Sequence, residues 1–224
     1  MRLVVTGASG GIGAALVRIA KSRGDFTVGI SRRPSEADVH HNCDVLDLDC
    51  LRKAAAEVGR VDGLALLHGH GDPGLWVKPI SELDGDDFLD VFRVDVVGSF
   101  NVVKAFLPAL SRDASVVLVS STPGLVGDSY GIPYAAAKGA LAALARSLAK
   151  ALAPVRVNAV AFGPIATRWT TWISEEELEG FRGRTLLKRL GSPEEAAEAV
   201  YWLLSPASSY VTGHVLIVDG GESL

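Results

Sequence analysis

Arg2-Leu3-Val4-Val5-Thr6-Gly7-Ala8-Ser9-Gly10-Gly11-Ile12-Gly13-Ala14 is the stretch that decides the fold. Arg2–Thr6 reads as a buried strand, and Ala14–Arg23 carries Leu16, Ile19 and Ala20 at helical spacing. Strand, glycine-rich turn and helix in that order form the context a dinucleotide-phosphate loop requires. Glycines let the backbone approach a pyrophosphate, and the helix N-terminus adds donors and partial positive charge. Gly7, Ser9, Gly11, Ile12 and Gly13 are therefore candidate phosphate-binding residues. The competing reading is a tight βα turn that uses glycine for structure alone.

Working outward, Phe26–Ser31 predicts a second strand, followed by Arg32-Arg33-Pro34. A site for an unphosphorylated ribose places Asp or Glu at the end of this strand. Here Ser31 stands there, and the Arg32 and Arg33 guanidinium groups suit a 2′-phosphate. Asn42-Cys43-Asp44-Val45 is expected to end a short third strand, with Asp44 available to an adenine amino group. Leu48–Val58 reads as a helix with a polar face. Gly63–Leu67 is a continuous apolar run, the mark of a central parallel strand covered on both faces. It leads into His68-Gly69-His70-Gly71, a loop expected near cofactor or substrate; no Cys, Asp or Glu completes a metal set at a familiar spacing. A long helix capped by Asp84 or Asp86 is expected to run towards Leu110, with Phe88, Val91, Phe92, Val96 and Phe100 in helical period. Asp95, among valines, is either a buried acid with a partner or a solvent-facing one.

Ser115–Ser120 predicts the fifth strand and delivers Ser121 to its C-terminal end, where open α/β sheets gather ligand and catalytic groups. Tyr134 and Lys138 are four residues apart, ahead of and within an Ala-rich run, 135–153, that reads as a helix. They would lie one above the other, and an ammonium fixed beside a phenol favours the phenolate. Val155–Ala161 is the sixth strand. Residues 168–187 hold Trp169, Trp172, Ile173, Leu178, Phe181 and Leu186 among charges, either a lid over a hydrophobic substrate or a helix pair packed on the body. Ser192-Pro193-Glu194-Glu195 has the cap, proline and acidic first turn of a helix start, and His214–Val218 is a last strand. Alternating βα units without linker or repeat predict one doubly wound domain over residues 1–224.

The bulk numbers agree. The chain has 224 residues, 48% hydrophobic, with 24 glycines and a net charge of −4, and no basic stripe suggests nucleic acid. Cys43 and Cys50 form no framework and no CxxC, so reduced thiols are expected. No run of about 20 apolar residues offers a membrane span, and the reading is soluble and cytoplasmic.

Together these motifs resemble, over nearly the whole chain, the short-chain dehydrogenase/reductase family. Thr6–Gly13 is similar to its TGxxxGxG loop and Asp44-Val45 to its adenine-contacting DV pair. Ser121, Tyr134 and Lys138 are similar to its catalytic serine and YxxxK motif, with a familiar 13-residue gap between Ser121 and Tyr134. Gly163-Pro164-Ile165-Ala166-Thr167 resembles the turn that contacts the nicotinamide carboxamide, and Gly213 with Asp219-Gly220-Gly221 resembles the closing strand. Three positions depart from the family pattern. His68-Gly69-His70-Gly71 stands for NNAG, Asp95 for an Asn that anchors a water leading to the lysine, and Phe162 for the proline before Gly163. Asp accepts hydrogen bonds but cannot donate as an amide does, and its charge near Lys138 would raise the lysine's pKa. The relay is expected to differ, with His68 or His70 taking part or shaping the pocket.

The resemblance implies a Rossmann-like α/β fold, a doubly wound parallel seven-stranded sheet with helices on both faces. It implies NADP(H), in preference to NAD(H), held by the phosphate loop, Ser31, Arg32, Arg33, Asp44, Val45, His68, Gly69, Tyr134, Lys138, Gly163, Ile165 and Thr167. It implies carbonyl reduction, or alcohol oxidation, with Tyr134 as proton donor, Ser121 holding the oxygen, Lys138 assisting and Asp95 in the relay. The alternatives are a lyase, isomerase or dehydratase on the same fold, and a non-catalytic NADP(H)-binding protein. An apolar or cyclic carbonyl or alcohol is the expected substrate, with no charged anchor evident. A homodimer or homotetramer through the helices around 84–110 and 134–153 is expected.

Overall fold

A computed structural model describes residues 1–224, apart from the side chain of Trp169, so that member of the expected lid lies outside the described groups. Seven parallel strands form one sheet in the order β3-β2-β1-β4-β5-β6-β7. In chain order the elements begin with β1 (Arg2–Thr6), α1 (Gly11–Ser22), β2 (Phe26–Ile30), β3 (Val39–His41), α2 (Leu48–Val58) and β4 (Val61–Leu66). Next come α3 (Pro73–Val77), α4 (Gly85–Phe92), α5 (Gly98–Phe106), β5 (Leu110–Ser121), α6 (Pro123–Val126) and α7 (Ile132–Ala151). The chain closes with β6 (Arg156–Phe162), α8 (Glu175–Arg184), α9 (Pro193–Leu204) and β7 (Val215–Val218).

The strands are apolar runs because both faces are covered. Leu3 and Val5 point to one side, packing with Leu16, Val160 and Leu203 beneath α1 and α9. Val4 points to the other, with Ile30, Leu51, Phe106, Val116 and Leu141 beneath α2, α5 and α7. The order reverses between β1 and β4, so the crevice beyond their C-terminal ends is the natural ligand position.

Three expectations need correction. Asn42–Val45 does not belong to the third strand, which ends at His41; Asp44 turns instead to accept from Leu46 N at 2.9 Å. Cys43 and Cys50 are not free thiols but a disulfide, with Cα atoms 5.9 Å apart. The turn that opens at Asn42 and enters α2 folds back far enough to bring residues seven apart within bridging range. The long helix is not one uniform period: a π turn, Arg93–Val97, separates α4 from α5. Its extra residue rotates the buried stripe, so Val102, Val103 and Phe106 continue the core while Phe100 is 46% exposed. No helix of the described residues is long and apolar enough to cross a membrane.

Candidate active site

The cleft opens at the C-terminal ends of β1, β4, β5 and β6, encloses about 1070 Å³ open to solvent, and is lined by Ile12, His68, Ser121, Tyr134, Lys138 and Ile165 among others. One side is the phosphate loop. Gly7 has φ +66°, and a Cβ there would meet Leu67 O at 2.6 Å. A Cβ at Gly13 would meet Gly7 O at 2.2 Å, so the turn closes only without side chains. α1 follows Gly10, which offers no side-chain cap, and has no acidic residue in its first turn. Its opening N–H groups and positive end suit a diphosphate. At the end of β2, Ser31 donates to Arg33 O at 2.8 Å, and Arg32 lies 3.9 Å from Asp44, its side chain 80% exposed. Among the described residues, Ser31 rather than a carboxylate directly follows β2. The donor set therefore fits an NADP-type cofactor.

On the other side, β5 ends in Ser121, and α7 follows Gly131 as its cap, with Pro133 in its first turn and an Ala-rich run behind it. Tyr134 sits in that first turn and Lys138 one turn on, its Nζ 5.3 Å from the Tyr134 ring centroid. β5 holds α7 by its backbone: Ser120 donates to Lys138 O at 2.8 Å, and Lys138 Nζ to Val119 O at 3.4 Å. Ser121 donates to Phe162 O at 3.1 Å, so its hydroxyl points across to β6. Trp76, from α3, packs edge-on against Tyr134, with centroids 5.3 Å apart and planes at 64°. Trp76 escaped the sequence reading, although Asp72-Pro73 ahead of it is a helix-start signal; Asp72 caps α3 by accepting from Gly74 N.

Asp95 is fully buried. The π turn carries it inward, and Ser99 donates to its carbonyl at 2.6 Å. One carboxylate oxygen accepts from His70 N at 2.6 Å, and the other lies 2.9 Å from Lys138 Nζ. Burial pulls the Lys138 ammonium's pKa down, but the charges of Asp95 and Tyr134 and the hydrogen bond to Asp95 outweigh it, so the value ends raised.

His68 shares a 2.7 Å hydrogen bond with Thr6 Oγ1, and its Nε2 lies 3.4 Å from Ser99 Oγ. Ser99 gives its own proton to Asp95 O, and the ring also hydrogen-bonds the Val94 backbone, so both ring nitrogens are engaged. Burial first, then the Lys138 charge, lowers the His68 pKa to about 4 against the opposing pull of Asp95. The imidazole is thus a neutral strut between β1 and the π turn. The unfolded chain takes up this proton first as pH falls through about 6.5, while the folded chain resists to about 4. Stability is accordingly full above that window and lost across it, by up to about 3 kcal/mol. Denaturant midpoints between pH 7.5 and 4.5 should fall, and His68→Gln should flatten the slope.

The remaining predicted positions divide clearly. Thr167 reaches the loop, its Cγ2 only 2.9 Å from where a Gly11 Cβ would stand. Gly163, Ile165 and Thr167 line the cleft with Gly69, while Val45 packs beside Gly98. Asn158 ties β6 to the β7 approach, donating to Val211 O at 2.9 Å and accepting from His214 N at 3.0 Å.

A family model described as Enoyl-(Acyl carrier protein) reductase matches residues 7–223. The cis-4-hydroxycyclohexanecarboxylate dehydrogenase of Sinomonas cyclohexanicum is 36% identical, over 97% of this chain and 94% of that protein. The 3-oxoacyl-acyl-carrier-protein reductase FabG of Thermotoga maritima is 33% identical, over 97% and 96%. A short-chain dehydrogenase/reductase crystal structure from Brucella melitensis, titled glucose/ribitol dehydrogenase, superposes with a TM-score of 0.90 at 32% identity, covering 100% of this chain and 96% of that one.

Proposed function

The chain belongs to the short-chain dehydrogenase/reductase family, and from that premise we propose that it is an NADP(H)-dependent oxidoreductase interconverting a ketone or aldehyde and an alcohol. The observation that carries this reading is the contact of Tyr134 with Lys138 in the same cleft as Ser121 and the phosphate loop. Gly7–Gly13 and the α1 N-terminus would hold the diphosphate, Arg32 and Arg33 the 2′-phosphate, and Ile165 and Thr167 would flank the nicotinamide. NADPH supplies the hydride when bound. Tyr134 delivers the proton to the carbonyl oxygen as charge develops there, and Ser121 turns its hydroxyl from Phe162 O to that oxygen. Lys138, kept charged by Asp95, holds positive potential beside the phenol. The aromatic segment 168–187 serves as the lid, excluding water from the transfer. Apolar side chains exposed on α4, the π turn and α5, namely Leu89, Val97 and Phe100, support assembly of a homodimer or homotetramer across that face.

NADPH and NADH titrations followed by a panel of ketones and alcohols test the reading. NADPH consumption with a carbonyl is the expected result, and binding without consumption on any carbonyl would remove the redox assignment. Arg32→Ala should weaken NADPH by about tenfold to a hundredfold, the range for hydrogen bonds to a charged group, and leave NADH affinity nearly unmoved.

A further inference from the structure

The cleft has a charged feature that the reductase reading leaves unused. Arg184 closes α8, and it lines the same cleft as Ser121 and Tyr134, together with Glu222. Glu222 Oε1 accepts from Arg184 Nε and Nη2, both at 3.3 Å. Its Oε2 accepts from the Thr122 hydroxyl at 3.0 Å, one residue past Ser121. The guanidinium carbon also lies 4.4 Å from the Phe181 ring centroid. The pair is lopsided: the Arg184 side chain is 54% exposed and that of Glu222 15%. The cation therefore faces the opening and the carboxylate stands behind it as its holder. Glu222 grips the Nε side, leaving the Nη1 edge as a fork that matches a second carboxylate.

Other charges in the cleft do not compete for this role. Lys138 is buried and paired with Asp95. Asp128 accepts from Tyr130 N at 3.1 Å on an exposed turn. Among the cleft-lining lysines and arginines of the described residues, Arg184 alone is exposed to solvent.

We propose that Arg184 anchors the substrate by a carboxylate, so that the carbonyl compound turned over is an apolar keto acid, or the matching hydroxy acid. The proposal rests on the reductase reading for the chemistry at the other end of the molecule. The apolar body lies against Trp172, Ile173 and Phe181, which line the same cleft. Thr122 fixes Glu222 and Glu222 fixes Arg184, so the anchor is built at a set distance from Ser121 and costs little ordering on binding.

The test compares a ring keto acid, 4-oxocyclohexanecarboxylate, with its methyl ester as substrates of the whole protein with NADPH. The expected kcat/KM preference for the acid is about tenfold to a hundredfold, weakened by salt, and it should collapse towards unity in Arg184→Gln. Arg184→Lys, which keeps the charge and loses the fork, should fall between and serves if the Gln variant does not fold. Binding of the keto acid to the NADP⁺-loaded protein, measured by calorimetry, is read in parallel. Equal use of acid and ester by the wild type, or a preference that survives in Arg184→Gln, overturns the anchor. Keto acid that binds in an Arg184-dependent way without turnover upholds the anchor and, if no other carbonyl is consumed, removes the reductase reading. Keto acid that neither binds nor reacts overturns the anchor.

Discussion

Tyr134→Phe should leave the NADPH titration unchanged and reduce carbonyl turnover by about a thousandfold, within the range of 10²–10⁴ that a positioned proton donor contributes. The substitution removes the phenol oxygen and keeps the ring. The ring keeps its edge-on contact with Trp76 at 5.3 Å and its place 5.3 Å from the Lys138 ammonium, so neither the fold nor the cofactor cleft loses a wall. No neighbour can take over the proton. Lys138 is engaged by Asp95 at 2.9 Å, and Ser121, once turned to the substrate oxygen, offers an alcohol proton far less acidic than a phenol's. The His68 ring, with a pKa lowered to about 4 by burial, carries no acid proton at neutral pH. Unfolding midpoints within a degree or two of wild type would exclude a folding artefact. Turnover near the wild-type rate would sink the assigned role, whereas a loss confined to KM would make Tyr134 a binding group.

Why so much of this was legible follows from where the signals lie. The phosphate loop is local, since seven residues carry both the turn and the start of α1. Tyr134 and Lys138 are local too, one turn apart on a helix whose composition announces it, and the strand ends follow from apolar runs punctuated by glycine. What the sequence hid is what depends on a change of phase or on distance along the chain. Phe100 fits the period that begins at Phe88, and only the π turn throws it outward; the same turn drives Asp95 inward. The Thr122–Glu222–Arg184 chain joins residues 100 and 38 apart, so no window of sequence contains it. The disulfide was missed for a different reason: Cys43 and Cys50 are near in sequence, but nothing in their spacing says that the turn into α2 folds back enough to join them.

The second large effect belongs to Asp95. Two groups face its carboxylate: His70 N donates to one oxygen at 2.6 Å, and the Lys138 ammonium lies 2.9 Å from the other. An Asn could offer one oxygen and would turn its own N–H groups on the other donor. The pocket is thus built for a carboxylate, and the His68–Gly71 loop and Asp95 read as one coupled departure from the family pattern. Asp95→Ala leaves Lys138 buried without its counter-ion, a loss of about 3–5 kcal/mol, which for a chain of this size is a fall in Tm of roughly 6–20 °C. The pH dependence separates this from a cavity effect. With Asp95 present the Lys138 pKa is raised above 10.5, so the ion pair's contribution is whole below that value and fades only as pH climbs through the folded pKa. Without Asp95, burial, already the largest single influence, is opposed only by Tyr134, so the pKa falls and the ammonium is lost at lower pH. Asp95→Asn and Asp95→Ala should therefore each show an alkaline fall in kcat/KM that begins earlier than in wild type, with Asn retaining more stability than Ala. A profile that keeps its wild-type alkaline limb in both variants would show that the carboxylate only fills space, because loss of packing weakens the fold without moving the pH at which Lys138 gives up its proton.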